Sequence, residues 1–354
     1  MDLEHRSRPE YLGAVHLFRG LLRLALICVL FYAGAGCIRR RIRVPSPPDS
    51  RIVFQAMVED SDALSEGYPL GFVDEQAKST QMYILSFDLH MVQLLPVQTS
   101  DGMLTLAVSC SSAGLRAVTR SGEMVIYPMD ADSPFRRAWR VAPVPNTHLV
   151  VVVNQDTWRG HRDETYSIRL LDLDTRKEVQ VLAVLEPDPN KEPAEVFPSI
   201  GTAAMYHTWL TYSRCSELAC QLVILDTLTA EESVLLSRED GILATPAFSP
   251  DGQWIAYTAS DGIYVISADS PGNTSARRVV AMTLSLEWRS LRVGDLKPAP
   301  AWSPDGRWLV YHRCIENCME GHFKLSNFGI FKVNVETGEE IRLFRGGVYP
   351  YWRR

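Results

Sequence analysis

One phrase, tryptophan, aliphatic, any residue, tyrosine, is written three times in this chain. It stands at Trp209-Leu210-Thr211-Tyr212, Trp254-Ile255-Ala256-Tyr257 and Trp308-Leu309-Val310-Tyr311, at intervals of 45 and 54 residues. A period of this length constrains the fold strongly, because a unit so short cannot enclose a core of its own and must stack on copies of itself. Weaker copies at Ile52-Val53-Phe54, Leu104-Thr105-Leu106 and Leu149-Val150-Val151 extend the series upstream and make six units. The apolar fraction of 46% over 354 residues suffices for a core of that extent.

Each unit continues alike. After a variable loop comes a second apolar run, at Met82 to Phe87, Ile168 to Leu171, Leu222 to Leu225, Ile263 to Ile266 and Ile330 to Val333. These runs are rich in the β-branched and aromatic residues that suit a pleated surface. Polar turns at 174–178 and 336–340 then lead into Val179-Gln180-Val181 and Ile341-Arg342-Leu343, whose alternation predicts a strand with one wet face. Four short strands per unit predict an all-β fold over residues 51–354: a six-bladed β-propeller of four-stranded antiparallel blades.

The turn inside the repeat carries its own physical logic. Ser249-Pro250-Asp251-Gly252 and Ser303-Pro304-Asp305-Gly306 each lie between an inner strand and the strand after it. Proline presets φ, aspartate caps its own backbone and glycine accepts positive φ. Asp251, Gly252, Asp305 and Gly306 are therefore read as structural turn residues rather than as catalytic carboxylates. Phe248 and Trp302, just before these turns, are placed to wedge between neighbouring blades.

The phrases PAFSPDGQWIAY and PAWSPDGRWLVY resemble the repeats of TolB-type propellers, six-bladed periplasmic or surface proteins related in plan to WD-repeat propellers. The likeness is strongest over 244–352, weaker over 196–243, and carried by strand pattern over 51–195. It implies the propeller fold, export and protein binding. The extra N-terminal α/β domain of TolB itself has no counterpart before residue 51.

The two ends of the repeat region complete each other. Tyr349-Pro350-Tyr351-Trp352 repeats an inner-strand phrase and stops, while the first unit lacks a convincing inner strand. One blade is therefore expected to join Tyr349–Trp352 to residues 51–97, which removes the open radial edge of the ring.

The first fifty residues have another character. Arg19 and Arg23 precede an uncharged run ending Gly34-Ala35-Gly36-Cys37, the layout of an export signal with a lipobox-like end. Residues 1–37 are read as a hydrophobic signal or membrane-anchor helix, with Cys37 as the candidate lipidation site. The run from Leu24 to Ile38 is shorter than the ~20 residues that span a bilayer comfortably, so an uncleaved anchor stands beside cleavage and lipidation. Residues 38–50, with Arg39-Arg40-Arg41 and Pro45-Ser46-Pro47-Pro48, read as a stiff tether. Arg39, Arg40, Arg41 and Arg43 run against the positive-inside tendency; the cysteines favour export nonetheless.

Of seven cysteines, four form close pairs, Cys215 with Cys220 and Cys314 with Cys318, each across a hairpin. Such positions bring Cα atoms to the ~5.5–6 Å of a disulfide and point to an oxidising compartment, a periplasm or cell surface. A zinc site at Cys314, Cys318 and His322 is the alternative; Cys110 is read as a small buried hydrophobe. No hydrolase elbow, metalloprotease helix, phosphate loop or dinucleotide fingerprint is present, and His90, His148, His161, His207, His312 and His322 are scattered among the units. No catalytic residue, metal or cofactor is therefore assigned. A net charge of −6 with no long basic block argues against nucleic acid. The long hairpins joining second and third strands, at 60–80, 158–164, around Cys215 and at 313–329, open on one face. Trp158, Arg159, His161 and Arg162 are the candidate contact residues there. The expected role is a non-catalytic, membrane-tethered module binding a protein or cell-envelope component. A metal-dependent lyase or hydrolase using the central channel, and an accessory subunit of a membrane complex, are the alternatives.

Overall fold

The computed structural model describes residues 52–56, 68–73, 80–85, 92–99, 102–109, 115–118, 124–126 and, from 138 to 352, all but 157–164, 176, 187–196, 217–218, 240, 270–274, 283–297 and 317–326. All fall in one compact unit, Arg43–Arg354. The predicted signal or anchor segment and Cys37 lie outside the described residues, among which no helix is long and apolar enough to cross a membrane.

The strands follow the repeat. Blade I contains β1 (Ile52–Ala56), β2 (Tyr68–Val73) and β3 (Thr80–Leu85); blade II contains β4 (Val92–Thr99), β5 (Gly102–Ser109), β6 (Leu115–Val118) and β7 (Met124–Ile126). Blade III is β8 (Ala138–Pro143), β9 (Leu149–Gln155), β10 (Tyr166–Asp172) and β11 (Lys177–Leu185). Blade IV is β12 (Phe197–Ser199), β13 (Met205–Tyr206), β14 (Trp209–Cys215), β15 (Cys220–Asp226) and β16 (Glu232–Arg238). Blade V is β17 (Leu243–Phe248), β18 (Trp254–Ala259), β19 (Gly262–Ser267) and β20 (Arg277–Ala281); blade VI is β21 (Ala301–Trp302), β22 (Trp308–Cys314), β23 (Phe328–Asn334) and β24 (Glu340–Arg345). The last strand, β25 (Gly347–Trp352), returns to pair antiparallel with β1, opposing Trp352 to Ile52 and Val348 to Gln55. Blade I thus reads β25-β1-β2-β3, with its inner strand taken from the far end of the chain.

Blade I departs from the sequence reading in two respects. The run beginning at Met82 forms the outermost strand β3, because β2 lies inside the segment read as an insertion at 60–80. Pro69 and Gly71 disguise β2 as a loop. Residues 92–97, counted with the first unit, belong to β4 and open blade II instead.

Alternation along the repeated phrase explains how blades adhere. Leu210 and Tyr212 pack with Val151, Val153 and Ile168 of blade III; Ile255 and Tyr257 pack with Leu222 and Ile224 of blade IV. Leu309 and Tyr311 pack with Ala256 and Val265 of blade V, while Val310 turns the other way toward Ile52, Phe54 and Trp352 of blade I. The aliphatic and the tyrosine of each phrase face the preceding blade, as a period of two requires. Blades I and II meet through β1, β25 and β4, and blades II and III through β4, β5 and β8, which closes the cycle. The hairpins joining strands one to two and three to four open on one side, the turn face; the two-to-three hairpins and the blade connections open on the other, the loop face.

Deleting residues 347–354 removes the inner strand of blade I and leaves Ile52 and Phe54, both buried, without their cover. Loss of a cooperative thermal transition is expected, whereas deleting only 353–354 leaves it unchanged; calorimetry of the two truncations checks this.

Candidate functional site

The axis of the ring is the first place to look, since inner strands from every blade face it. Blade IV breaks its inner strand there: β12 and β13 both pair with β14, and residues 200–204 leave the sheet between them. Gly201 N–H donates to the carbonyl of Pro246 in blade V (2.9 Å), and Phe248 N–H donates to Ala203 (2.8 Å). Thr202 Oγ1 reaches further and donates to Pro300 in blade VI (3.0 Å). A Cβ at position 201 would come within 2.3 Å of the Pro246 carbonyl oxygen, so only glycine permits this approach.

Two non-glycine residues beside the axis hold positive φ, Thr245 (52°) and Tyr349 (51°), each just before a proline and within an irregular register of its sheet. Such a backbone costs about 1–3 kcal/mol and persists only where its surroundings impose it. They do: Thr245 N–H donates to Ser199 Oγ (3.1 Å) and its hydroxyl to Pro298 (2.8 Å), which also accepts from Thr258 Oγ1 (2.6 Å). Tyr349 N–H donates to Nδ1 of the fully buried His312 (3.2 Å), which fixes that ring as the Nε2–H tautomer. The Arg140 guanidinium of blade III lies 5.7 Å from the centre of the Tyr349 ring of blade I, two blades away. At this level contacts of inner-strand residues link blade III to blade I and blade IV to blades V and VI.

The two Ser-Pro-Asp-Gly turns on the turn face have the same wiring. Ser249 Oγ donates to Asp251 and accepts from Trp254 N–H (3.0 Å), while Asp251 accepts from Gln253 N–H (3.1 Å). Ser303 and Asp305 repeat these bonds with Trp308 and Arg307 (2.9 and 3.1 Å). Gly252 and Gly306 hold φ of 72° and 71°. Burial pushes the Asp305 carboxyl up, but the Ser303 hydroxyl and Arg307 outweigh it and hold the group below its ordinary range.

A further repeated element was not apparent from the phrase alone. Tyr212 donates to Glu232, and Arg214 pairs with that carboxylate (2.8 Å); Tyr311 donates to Glu340, and Arg313 pairs with it (2.9 Å). Burial, then Glu232, pushes the Tyr212 phenol well above its ordinary value, so it remains a donor. The signal was Tyr-x-Arg in the second strand with glutamate opening the fourth. Blade V lacks both partners, having Ala259 and Ala276, and the Tyr257 hydroxyl has no hydrogen-bond partner.

On the loop face, Cys215 and Cys220 are directly opposed in β14 and β15, with Cα atoms 4.0 Å apart, and form a disulfide. Cys314 is also disulfide-bonded; Cys318 lies outside the described residues. So do Cys110, Trp158, Arg159, His161, Arg162, His90 and His322. His148, His207 and His312 are described and stand in different blades. His148 lies between Asp172 (3.5 Å) and Asp174 (3.8 Å) on the turn face of blade III, each carboxylate facing a different ring nitrogen. Backbone N–H groups of Thr175 and then Asp174 hold the Asp172 carboxyl low against the opposing effect of burial.

No protein-family model and no curated protein matches this sequence. Solved structures do resemble it. A TolB-assigned protein from Agrobacterium tumefaciens is 15% identical, covering 84% of this chain and 90% of its own, with a TM-score of 0.53. A chain of a nidogen–laminin complex is 8% identical, covering 85% of this chain and 97% of its own, with a TM-score of 0.57. The chain has a TolB-type β-propeller fold. At these identities the likeness concerns the fold alone.

Two tests address the wiring. Gly201→Ala forces Cβ against a backbone carbonyl that cannot move freely and is expected to destabilise the propeller by about 1–3 kcal/mol in urea unfolding. Asp305, whose folded-state pKa is depressed, contributes stability that is complete above its unfolded value near ~3.9 and is lost as pH falls through the lower folded value. The stability gap between wild type and Asp305→Asn, followed by urea unfolding, should therefore be constant near neutrality and narrow in that acid range.

Proposed function

We propose that this propeller is a non-catalytic binding or scaffolding module, exported and tethered to a membrane through its N-terminal segment, that holds a protein or cell-envelope partner. The observation that carries this reading is the set of contacts that tie the inner strands to one another. Residues 200–204 bridge blade IV to blades V and VI, and Arg140 meets Tyr349 of blade I, so the blades form one scaffold that offers its two broad faces to a partner. The chain of the nidogen–laminin complex shows a fold of this kind in a structure containing a protein partner.

Contact is assigned to the loop face, where hairpin length varies from blade to blade while the ring beneath stays rigid. The Cys215–Cys220 disulfide stiffens one such hairpin and suits an oxidising compartment. The Cys314–Cys318 pairing is proposed to do the same in blade VI. Trp158, flanked in sequence by Arg159, His161 and Arg162, supplies the aromatic and guanidinium groups that dominate protein interfaces. Cys37 is the proposed lipidation site and residues 38–50 the tether.

Affinity isolation of the full-length chain from envelope extract should recover a stoichiometric partner whose yield drops at least ~10-fold with Trp158→Ala, as for a central aromatic anchor. Recovery that Trp158→Ala does not alter removes the loop-face assignment. Mass spectrometry of the mature N-terminus should find a diacylglycerol-modified Cys37, and Cys37→Ser should release the protein into the soluble fraction.

A further inference from the structure

The turn face carries a second, chemically different surface. Trp209, Trp254 and Trp308 each open the second strand of their blade, at equivalent positions in three consecutive blades. A side chain of this size is ordinarily withdrawn from water, yet Trp209 is 42% exposed and Trp254 45%. The strip between them is continuous. Gly252 lies directly under the Tyr206 ring, where any Cβ would collide, and Gly306 lies beside Pro250. Within each blade one backbone bond ties the two turns together: Thr227 to Thr208, Ala268 to Gln253 and Val335 to Arg307, each 2.9 Å. The tryptophans therefore stand on a surface with little freedom to rearrange.

What surrounds them selects a partner. Exposed carboxylates lie in the same turns, at Glu231, Asp251, Asp269, Asp305, Glu336 and Glu339. Among the described residues of blades IV to VI, three cations on this face are engaged, Arg307 on Asp305 (2.8 Å), Arg277 on the Val335 carbonyl and Lys332 over the Trp308 ring at 4.5 Å, while Arg342 of the outer strand is exposed. That last contact shows what the neighbouring tryptophans accept. Trp308 is covered by a lysine from its own blade, while Trp209 and Trp254 keep large exposed areas next to unneutralised carboxylates. An aromatic face set among anions attracts a cation and repels an anionic lipid surface.

We propose that the turn face of blades IV to VI docks a lysine- or arginine-rich segment of a protein partner, its cations stacking on Trp209 and Trp254 as Lys332 stacks on Trp308. This surface is opposite to the loop face and does not depend on the assignment made there.

The test uses the full-length chain in detergent and a fluorescein-labelled hexa-arginine peptide, with hexaglutamate as control, followed by anisotropy across a salt series. Saturable binding to hexa-arginine is expected, weakening steeply with salt. Trp209→Ala with Trp254→Ala should weaken it about 5- to 30-fold, given the usual strength of an exposed cation–π pair at two sites. A second variant, Glu231→Gln with Glu336→Gln and Glu339→Gln, removes charge without touching the aromatic rings and should flatten the salt dependence. Trp158→Ala should leave this binding unchanged even where it abolishes the loop-face partner. Binding no tighter than to hexaglutamate, or binding that survives the tryptophan double variant, overturns the proposal. So does tryptophan-dependent binding to phosphatidylglycerol vesicles without binding to the peptide, which would assign the face to a membrane.

Discussion

A small twisted sheet with two apolar faces has no stable existence until a neighbour covers each of them. That requirement, rather than any single bond, organises this molecule. The leucine or isoleucine and the tyrosine of the repeated phrase turn toward the preceding blade, and in blades V and VI the residue between them, Ala256 or Val310, turns toward the next. Each blade is thus covered from both sides only if the series closes, and an open arc would leave Ile52, Phe54 and Trp352 of blade I facing water. Pairing β25 with β1 meets this condition by taking a strand from one end of the chain and its partner from the other. The closure links residues almost the whole repeat region apart, so the entropy it costs has to be offset by many contacts.

Within that frame, polar groups vary as sets. In blades IV and VI the buried tyrosine hydroxyl is answered by a glutamate, which is answered in turn by an arginine two residues after the tyrosine. In blade V the arginine and glutamate positions hold Ala259 and Ala276, and the Tyr257 ring keeps only its stack on Tyr264 at 5.7 Å, the counterpart of Tyr311 on Phe331 at 6.0 Å in blade VI. Removing only one of the two charged partners would leave the other ion half-buried without a counter-charge, a larger penalty than losing both. The two alanines are together the cheaper departure, at the expense of one unanswered hydroxyl.

Much of the architecture was legible because the residues that build it act locally. The turn wiring follows from serine, proline, aspartate and glycine within four positions, and the facing of the tyrosines follows from a period of two. The strand order of blade I was less legible, since Pro69 and Gly71 weaken β2 on any local reading, and only pairing with β1 and β3 makes it a strand. The axis was not legible at all. Gly201 is unremarkable in sequence until Pro246, 45 positions on, is seen pressing against it. Arg140 and Tyr349 are likewise neighbours only because the ring has closed. Local chemistry is written in local sequence, whereas contacts across the axis exist only in the assembled circle.

The two faces of the ring inherit different physics from the same topology. In blades III to VI the turns joining strands one to two are short and tied by backbone bonds to the turns joining strands three to four, so the side chains they carry project from fixed points. Insertions there would break bonds such as Ala268 to Gln253 and Val335 to Arg307. Hairpins between strands two and three differ in length from blade to blade and are held by bonds of their own, Ser216 N–H to Ala219, Ile315 N–H to Asn327 and Met282 N–H to Asp261, with the Cys215–Cys220 disulfide spanning one of them. A regular face is suited to a repetitive ligand chemistry, such as a run of cations meeting one tryptophan per blade. An irregular face is suited to a partner of particular shape. On the reading proposed above, two partners would sit on opposite faces of the ring and would not compete.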